Sequence, residues 1–145
     1  MKNNFYNIQE DWYNDFNTNF NVYPNKDNTN LSNPLEGFLR GNLFNNLYNP
    51  YKNYNYAMLK PTNKKEELLY NILMYKFALT ELNLYLDIHP NNQEMINLFK
   101  KYLLEEKKLC NEYEKNYGPL TIDSNNLENN SWNWIKSPWP WEVNK

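Results

Sequence analysis

Between Asn63 and Tyr117 the apolar residues fall into two helical rhythms, separated by His89-Pro90. This pattern limits the fold more than any other feature of the chain. Leu68, Ile72, Tyr75, Leu79, Leu82 and Leu86 recur every three or four residues, which keeps them on one side of a helix. Lys76, Thr80, Asn83 and Asp87 keep the same rhythm on another side, as a solvated face does. Asn63, with Glu66 three positions on, has the form of a capping box. Pro90 stops the first helix, because a residue that precedes proline is pushed out of the α region. The second helix is predicted from Asn91 or Asn92 to Tyr117, with Ile96, Phe99, Leu103, Cys110, Tyr113 and Tyr117 as its stripe. Glu106 interrupts one repeat of that stripe, and Gly118-Pro119 closes the helix. Each helix is predicted at roughly 25 residues, or nearly 40 Å at about 1.5 Å per residue. The expected fold class is therefore all-α: an antiparallel two-helix hairpin with an extended Trp/Pro-rich C-terminal tail and a largely irregular N-terminal arm.

A chain of 145 residues holds one domain with extensions, divided here into 1–33, 34–61 and 62–145. The net charge of −2 gives no general pull toward nucleic acid or an anionic membrane. Arg40 is the sole arginine, so the bidentate fork that favours phosphate and base contacts is nearly absent. No apolar run approaches the roughly 20 residues that span a bilayer. The start, MKNNFYNIQEDWYND, lacks the apolar centre of a signal peptide, so no export by that route and no membrane insertion are expected. One cysteine excludes an internal disulfide framework.

Asparagine occurs 31 times, and tyrosine 13 times against 3 glycines. A biased codon pool is one reading of the asparagines, and it explains the aromatics less well, because such a bias does not favour tryptophan. Residues 1–33 scatter Phe5, Tyr6, Trp12, Tyr13, Phe16, Phe20 and Tyr23 among asparagines with no sustained period, which reads as a flexible arm. Such Asn/Tyr composition is also compatible with self-association. Over 34–51, Leu35, Phe38, Leu43, Phe44, Leu47 and Tyr48 form a compact apolar motif, in which Gly37 and Gly41 weaken a continuous helix. It is either a linker that lies against the hairpin or a docking motif for another chain. After a polar stretch come Trp132, Trp134, Pro138, Trp139, Pro140 and Trp141, four of the five tryptophans within ten residues. The prolines favour extended backbone that displays the rings. These six residues either cover the hairpin, which cannot enclose a core alone, or engage a partner, since tryptophan is enriched in interface hot spots.

No catalytic set can be assembled, and an enzyme is not expected. His89 is the only histidine and belongs to the turn beside Pro90. Cys110, on an apolar stripe, reads as a small buried hydrophobe. Without a second cysteine or histidine, no zinc site within one chain is expected, and no glycine-rich phosphate loop is present. The expectation is no catalytic residue, no metal and no cofactor.

The run Ala78-Leu-Thr-Glu-Leu-Asn-Leu-Tyr-Leu-Asp-Ile-His-Pro90 is followed by Tyr117-Gly-Pro-Leu120, Trp132-Asn-Trp134 and Pro138-Trp-Pro-Trp-Glu142. In that order these motifs resemble CotJB, a family of small spore coat proteins of endospore-forming bacteria, over roughly 63–143. The 34–51 segment is similar to a motif of CotJA, a neighbouring coat protein. The long Asn-rich arm departs from the family's usual start near the first helix. The resemblance implies a coat component made in the mother-cell cytoplasm and associated with CotJC, a manganese-catalase-like protein. It transfers no catalytic residue. Two functions follow: a non-enzymatic coat-assembly protein that binds through hairpin and tail, or a stand-alone helical module or regulatory subunit with an aromatic ligand pocket.

Overall fold

The computed structural model describes residues 30–47, 52–53, 59–124, 127 and 132–135. Their regular structure is three α-helices, α1 (Pro34–Arg40), α2 (Lys64–Ile88) and α3 (Gln93–Tyr117), and a 3-10 turn at Asn133–Ile135. A single isolated bridge is the only extended pairing among them. The architecture is all-α, as the periodicity predicts. The chain divides into two compact units, Met1–Tyr54 and Asn55–Lys145.

In the first unit a seven-residue helix is held inside a closed loop. Asn33 caps α1 by accepting from the Glu36 amide at 2.8 Å, and Pro34 occupies the first turn, where its missing N–H costs nothing. Gly41 ends the helix in the left-handed region at φ 79°, ψ 19°. The chain then returns beside its own start: Ser32 N donates to Leu43 O at 2.9 Å, and Asn45 N to Asn30 O at 2.7 Å. Leu31 and Phe44 form the antiparallel bridge. Gly37 serves this closure. A Cβ there would sit 3.0 Å from Leu43 Cδ1 and 3.2 Å from its Cα, so the return strand lies against the bare glycine.

In the second unit α2 and α3 have 25 residues each and lie along one another. The expected box caps α2: Asn63 accepts from the Glu66 amide, while the Glu66 carboxylate accepts from Thr62 N at 2.7 Å. His89 caps the other end, its N–H donating to Tyr85 O. The connecting turn closes with Asn92 N on His89 O, and Asn92 then caps α3. The end of α2 meets the start of α3, and the middles of the two helices meet each other. Tyr85 accepts from Asn92 Nδ2 at 3.2 Å, Tyr75 packs edge-on to Tyr102 at 5.6 Å, and Lys76 reaches Glu106 at 3.9 Å.

Burial on α2 follows the predicted stripe and then exceeds it. Leu68, Ile72, Tyr75 and Leu82 are buried, with Leu79 and Leu86 half-buried, while Lys76, Thr80, Asn83 and Asp87 face solvent. Tyr70, Asn71, Met74 and Ala78 are buried too. At 3.6 residues per turn, the buried positions cover roughly 200° of α2. On α3 the fully buried residues are Met95, Tyr102, Leu109 and Tyr113, which corrects the predicted stripe by one position along most of its length. Ile96, Phe99, Leu103 and Cys110 are half-buried at the margin, and Tyr117 is exposed. Two adjacent apolar files run down α3, and Met95, Tyr102, Leu109 and Tyr113 fill the inner one.

Candidate functional site

The C-terminal tryptophans begin from a fixed point. Gly118 has φ 108° and ψ 172°, so α3 stops there with a backbone turn that a side chain rarely adopts, and its N–H donates to Glu114 O. The Glu114 side chain then gathers the chain that follows. It accepts from Leu120 N at 3.1 Å and from Ser124 Oγ at 2.7 Å. Ser124 N donates to Thr121 O and Leu127 N to Ser124 O, which turns the chain and buries Leu127. A carboxylate at the C-terminal end of a helix is disfavoured by the helix dipole. Here the two donors from the loop offset that cost.

Beyond this clamp lies the 3-10 turn of Asn133–Ile135. Trp132 is 54% exposed and Ile135 67%, with Trp134 half-buried between them. Of the tail residues singled out from sequence, Trp132 and Trp134 are thus one outward and one partly enclosed. Pro138, Trp139, Pro140 and Trp141 lie outside the described residues.

The 34–51 motif, in the other unit, splits in the same manner. Leu35, Leu43 and Phe44 are buried and hold the closed loop together, Phe38 is half-buried, and Leu47 is exposed. Tyr48 lies outside the described residues.

A polar edge runs along the meeting of α2 and α3. Glu106 Oε1 accepts from the Cys110 thiol at 3.2 Å and lies 3.9 Å from Lys76 Nζ. Cys110 is half-buried, not the enclosed hydrophobe its stripe suggests, because Glu106 one turn earlier gives the thiol an acceptor. Burial first, and then the Glu106 carboxylate, push this thiol up to about 12. It is held neutral, the opposite of an activated nucleophile. Burial likewise raises the Tyr75 hydroxyl. Asn71 Oδ1 and Tyr75 Oη, one turn apart on α2, are buried without a hydrogen-bond partner.

One surface escaped the sequence reading. Leu69, Leu73, Leu84 and Ile88 are 36, 48, 56 and 76% exposed and line the side of α2 away from its buried arc. The signal was available in their spacing, but the six-residue stripe beside them absorbed the period.

No curated protein and no solved structure shows significant similarity to the chain. The family model for the CotJB protein matches residues 66–142, from the first turn of α2 through the tryptophan-rich tail, and leaves the 34–51 motif outside. With more than half of its length matched and the expected helical architecture in place, the chain belongs to the CotJB family of spore coat proteins.

Proposed function

We propose that this protein is a non-enzymatic assembly component of the endospore coat. On this reading it is made in the mother-cell cytoplasm and binds a coat partner through the paired helices and the tryptophan tail. The partner that the sequence resemblance favours is a CotJC-like, manganese-catalase-like protein. The observation that carries the reading is the exposure of Trp132 and Ile135 at the short turn Asn133–Ile135. An indole left half in water has the character of an interface hot spot. Family membership supplies the setting. Within the 34–51 motif, Leu47 and Tyr48 are the residues proposed to meet a partner, because Leu35, Leu43 and Phe44 already hold their own unit together.

The test is a pull-down of a CotJC-like protein by the full chain and by a variant carrying Trp132→Ala, Trp139→Ala and Trp141→Ala. Hot-spot truncations cost about 2 kcal/mol or more each, so capture should fall by well over tenfold while helix content stays near normal. If capture is intact and the melting temperature drops, the tail is a cover for the helices. The interface would then move to the 34–51 motif.

A further inference from the structure

The outward side of α3 has a charge pattern that a merely solvated helix face does not need. Lys100, Leu104, Lys107, Asn111 and Lys115 follow one another at spacings of 4, 3, 4 and 4, and all five are exposed. At 3.6 residues per turn they lie within roughly 80° of one another, with Lys108 at the edge of the same ridge. From Lys100 to Lys115 the ridge covers 15 residue steps, or about 22 Å at about 1.5 Å per residue. A face that only meets water commonly sets carboxylates four residues from lysines, where each pair supports the helix. Here leucine and asparagine hold those places, four residues after Lys100 and Lys107. The nearby glutamates are engaged: Glu105 pairs with Lys108 at 2.8 Å, Glu106 accepts from Cys110, and Glu114 holds Leu120 and Ser124. Ion pairs among the described residues are Lys64–Glu67, Lys76–Glu106 and Lys108–Glu105, so Lys100, Lys107 and Lys115 take part in none.

Leu104 decides what such a ridge meets. It is 61% exposed, with Lys100 four residues before it and Lys107 and Lys108 three and four after. The lysine stems beside it extend the apolar surface, while their charged ends stay in water. An apolar spot ringed by cations complements an apolar side chain flanked by carboxylates, the hydrophobic centre and charged rim of a protein interface. A phosphate polymer has no use for the leucine, and the ridge offers it no arginine fork. We propose that this ridge docks an acidic segment of a partner protein, with an apolar side chain against Leu104 and a carboxylate toward the lysines on either side. On the assembly reading above, on which this assignment rests, it is the face of the paired helices that the CotJC-like partner meets. The charge is local: Lys100, Lys107, Lys108 and Lys115 outnumber Glu105 and Glu112 by two, on a chain of net charge −2. It acts at close range, speeding encounter with an acidic surface, while burial of Leu104 slows departure.

The test follows binding of the full chain to an immobilised CotJC-like protein from about 0.1 to about 1 M salt, as the screening length falls from about 10 to about 3 Å. The association rate should fall about tenfold across that range. Lys100→Glu with Lys107→Glu should lower it about tenfold at the low end and flatten the salt dependence, while Lys100→Arg with Lys107→Arg should behave as wild type. Leu104→Ser should speed dissociation and keep the salt dependence. All three sites are exposed, so far-UV circular dichroism should not change. Binding that is insensitive to salt and to charge reversal overturns the proposal and leaves the assembly reading standing. A wild-type chain that binds no CotJC-like protein at any salt overturns that reading instead. Zero-length carbodiimide coupling in coat extracts then decides the ridge: links from Lys100 or Lys107 to carboxylates that flank an apolar residue of another protein support it, and their absence overturns it. Retention of the wild type on single-stranded DNA at about 0.15 M salt, lost on charge reversal, also overturns it, because the ridge would then serve a polyanion.

Discussion

The two long helices have the same length and opposite surroundings. Burial wraps roughly 200° of α2 but roughly 40° of α3, counting fully buried positions at 3.6 residues per turn. α3 is an ordinary amphipathic cover, with Lys100, Lys107, Lys108, Glu112 and Lys115 in solvent on its far side. α2 is the element on which its unit is built, apolar on the buried arc and again along Leu69, Leu73, Leu84 and Ile88. Equal length and adjacent sequence do not make equal roles. The helix with the weaker apolar–polar contrast is the one that contacts more of the molecule.

The largest expected effect tests this difference directly. Leu82, fully buried on α2, should lose about 3–4 kcal/mol on Leu82→Ala, since little of its surroundings can relax into the cavity. Leu109→Ala on α3 should cost about 2 kcal/mol, because that site borders solvent and can partly collapse. Urea unfolding of both variants measures the gap. A larger loss at Leu109 would reverse the ranking of the helices.

Much of this was legible in advance, and the failures have physical causes. The caps at Asn63 and Asn92, the break at His89-Pro90 and the stop at Gly118 depend on local backbone chemistry, which the sequence writes out residue by residue. The α2 stripe was legible because leucine and isoleucine carried it. The α3 stripe slipped by one position because Met95, Tyr102 and Leu109, not the adjacent Ile96, Leu103 and Cys110, fill the seam. Asn71 and Tyr70, buried on α2, were not legible, since a polar residue in a buried arc gives no periodic signal. The Glu114 clamp was equally invisible. Its partners Leu120 and Ser124 lie six and ten residues away across a turn.

That clamp gives the next prediction. Glu114→Ala removes a charged acceptor with two donors, and should cost about 1.5–3 kcal/mol. Most of the loss falls on residues 118–127 rather than on α3, so circular dichroism should hardly change while amides in that loop exchange faster. If α3 itself frays, the carboxylate supports the helix and not the chain beyond it.

A smaller effect concerns the start of α2. Asn63→Ala should cost about 1 kcal/mol through loss of the cap. The Thr62 amide first, and then its hydroxyl, hold the Glu66 carboxyl below its ordinary value of 4.5. A depressed carboxyl stabilises the fold above that ordinary value, and the contribution fades as pH falls through the lower one. In acid titration the margin of wild type over Glu66→Gln should therefore be constant above about pH 4.5 and shrink as pH falls below it. Coincident curves would mean that the box is unimportant to the helix.

The smallest effect is chemical. With its thiol pushed up to about 12, Cys110 should alkylate slowly at pH 8 in the folded chain. Glu106→Gln removes both the anionic neighbour and the competitor for Lys76, so the reaction should quicken several-fold with little change in melting. The raised thiol also favours the fold below the ordinary value of 9.0, and that contribution declines as pH rises toward 12. Rapid labelling of wild type at neutral pH would show the α2–α3 edge to be open.

The bare Gly37 has one more consequence, which concerns how the first unit holds its short helix. Glycine in a helix interior costs roughly 0.5–1 kcal/mol against alanine, yet α1 keeps one at its centre, where a Cβ would lie 3.2 Å from Leu43 Cα. Seven residues are too few for a helix to persist in water on propensity alone. The returning segment that the glycine admits, joined to the start of the loop by Ser32 N on Leu43 O, therefore holds the helix in place. Helix and closure form together and are lost together.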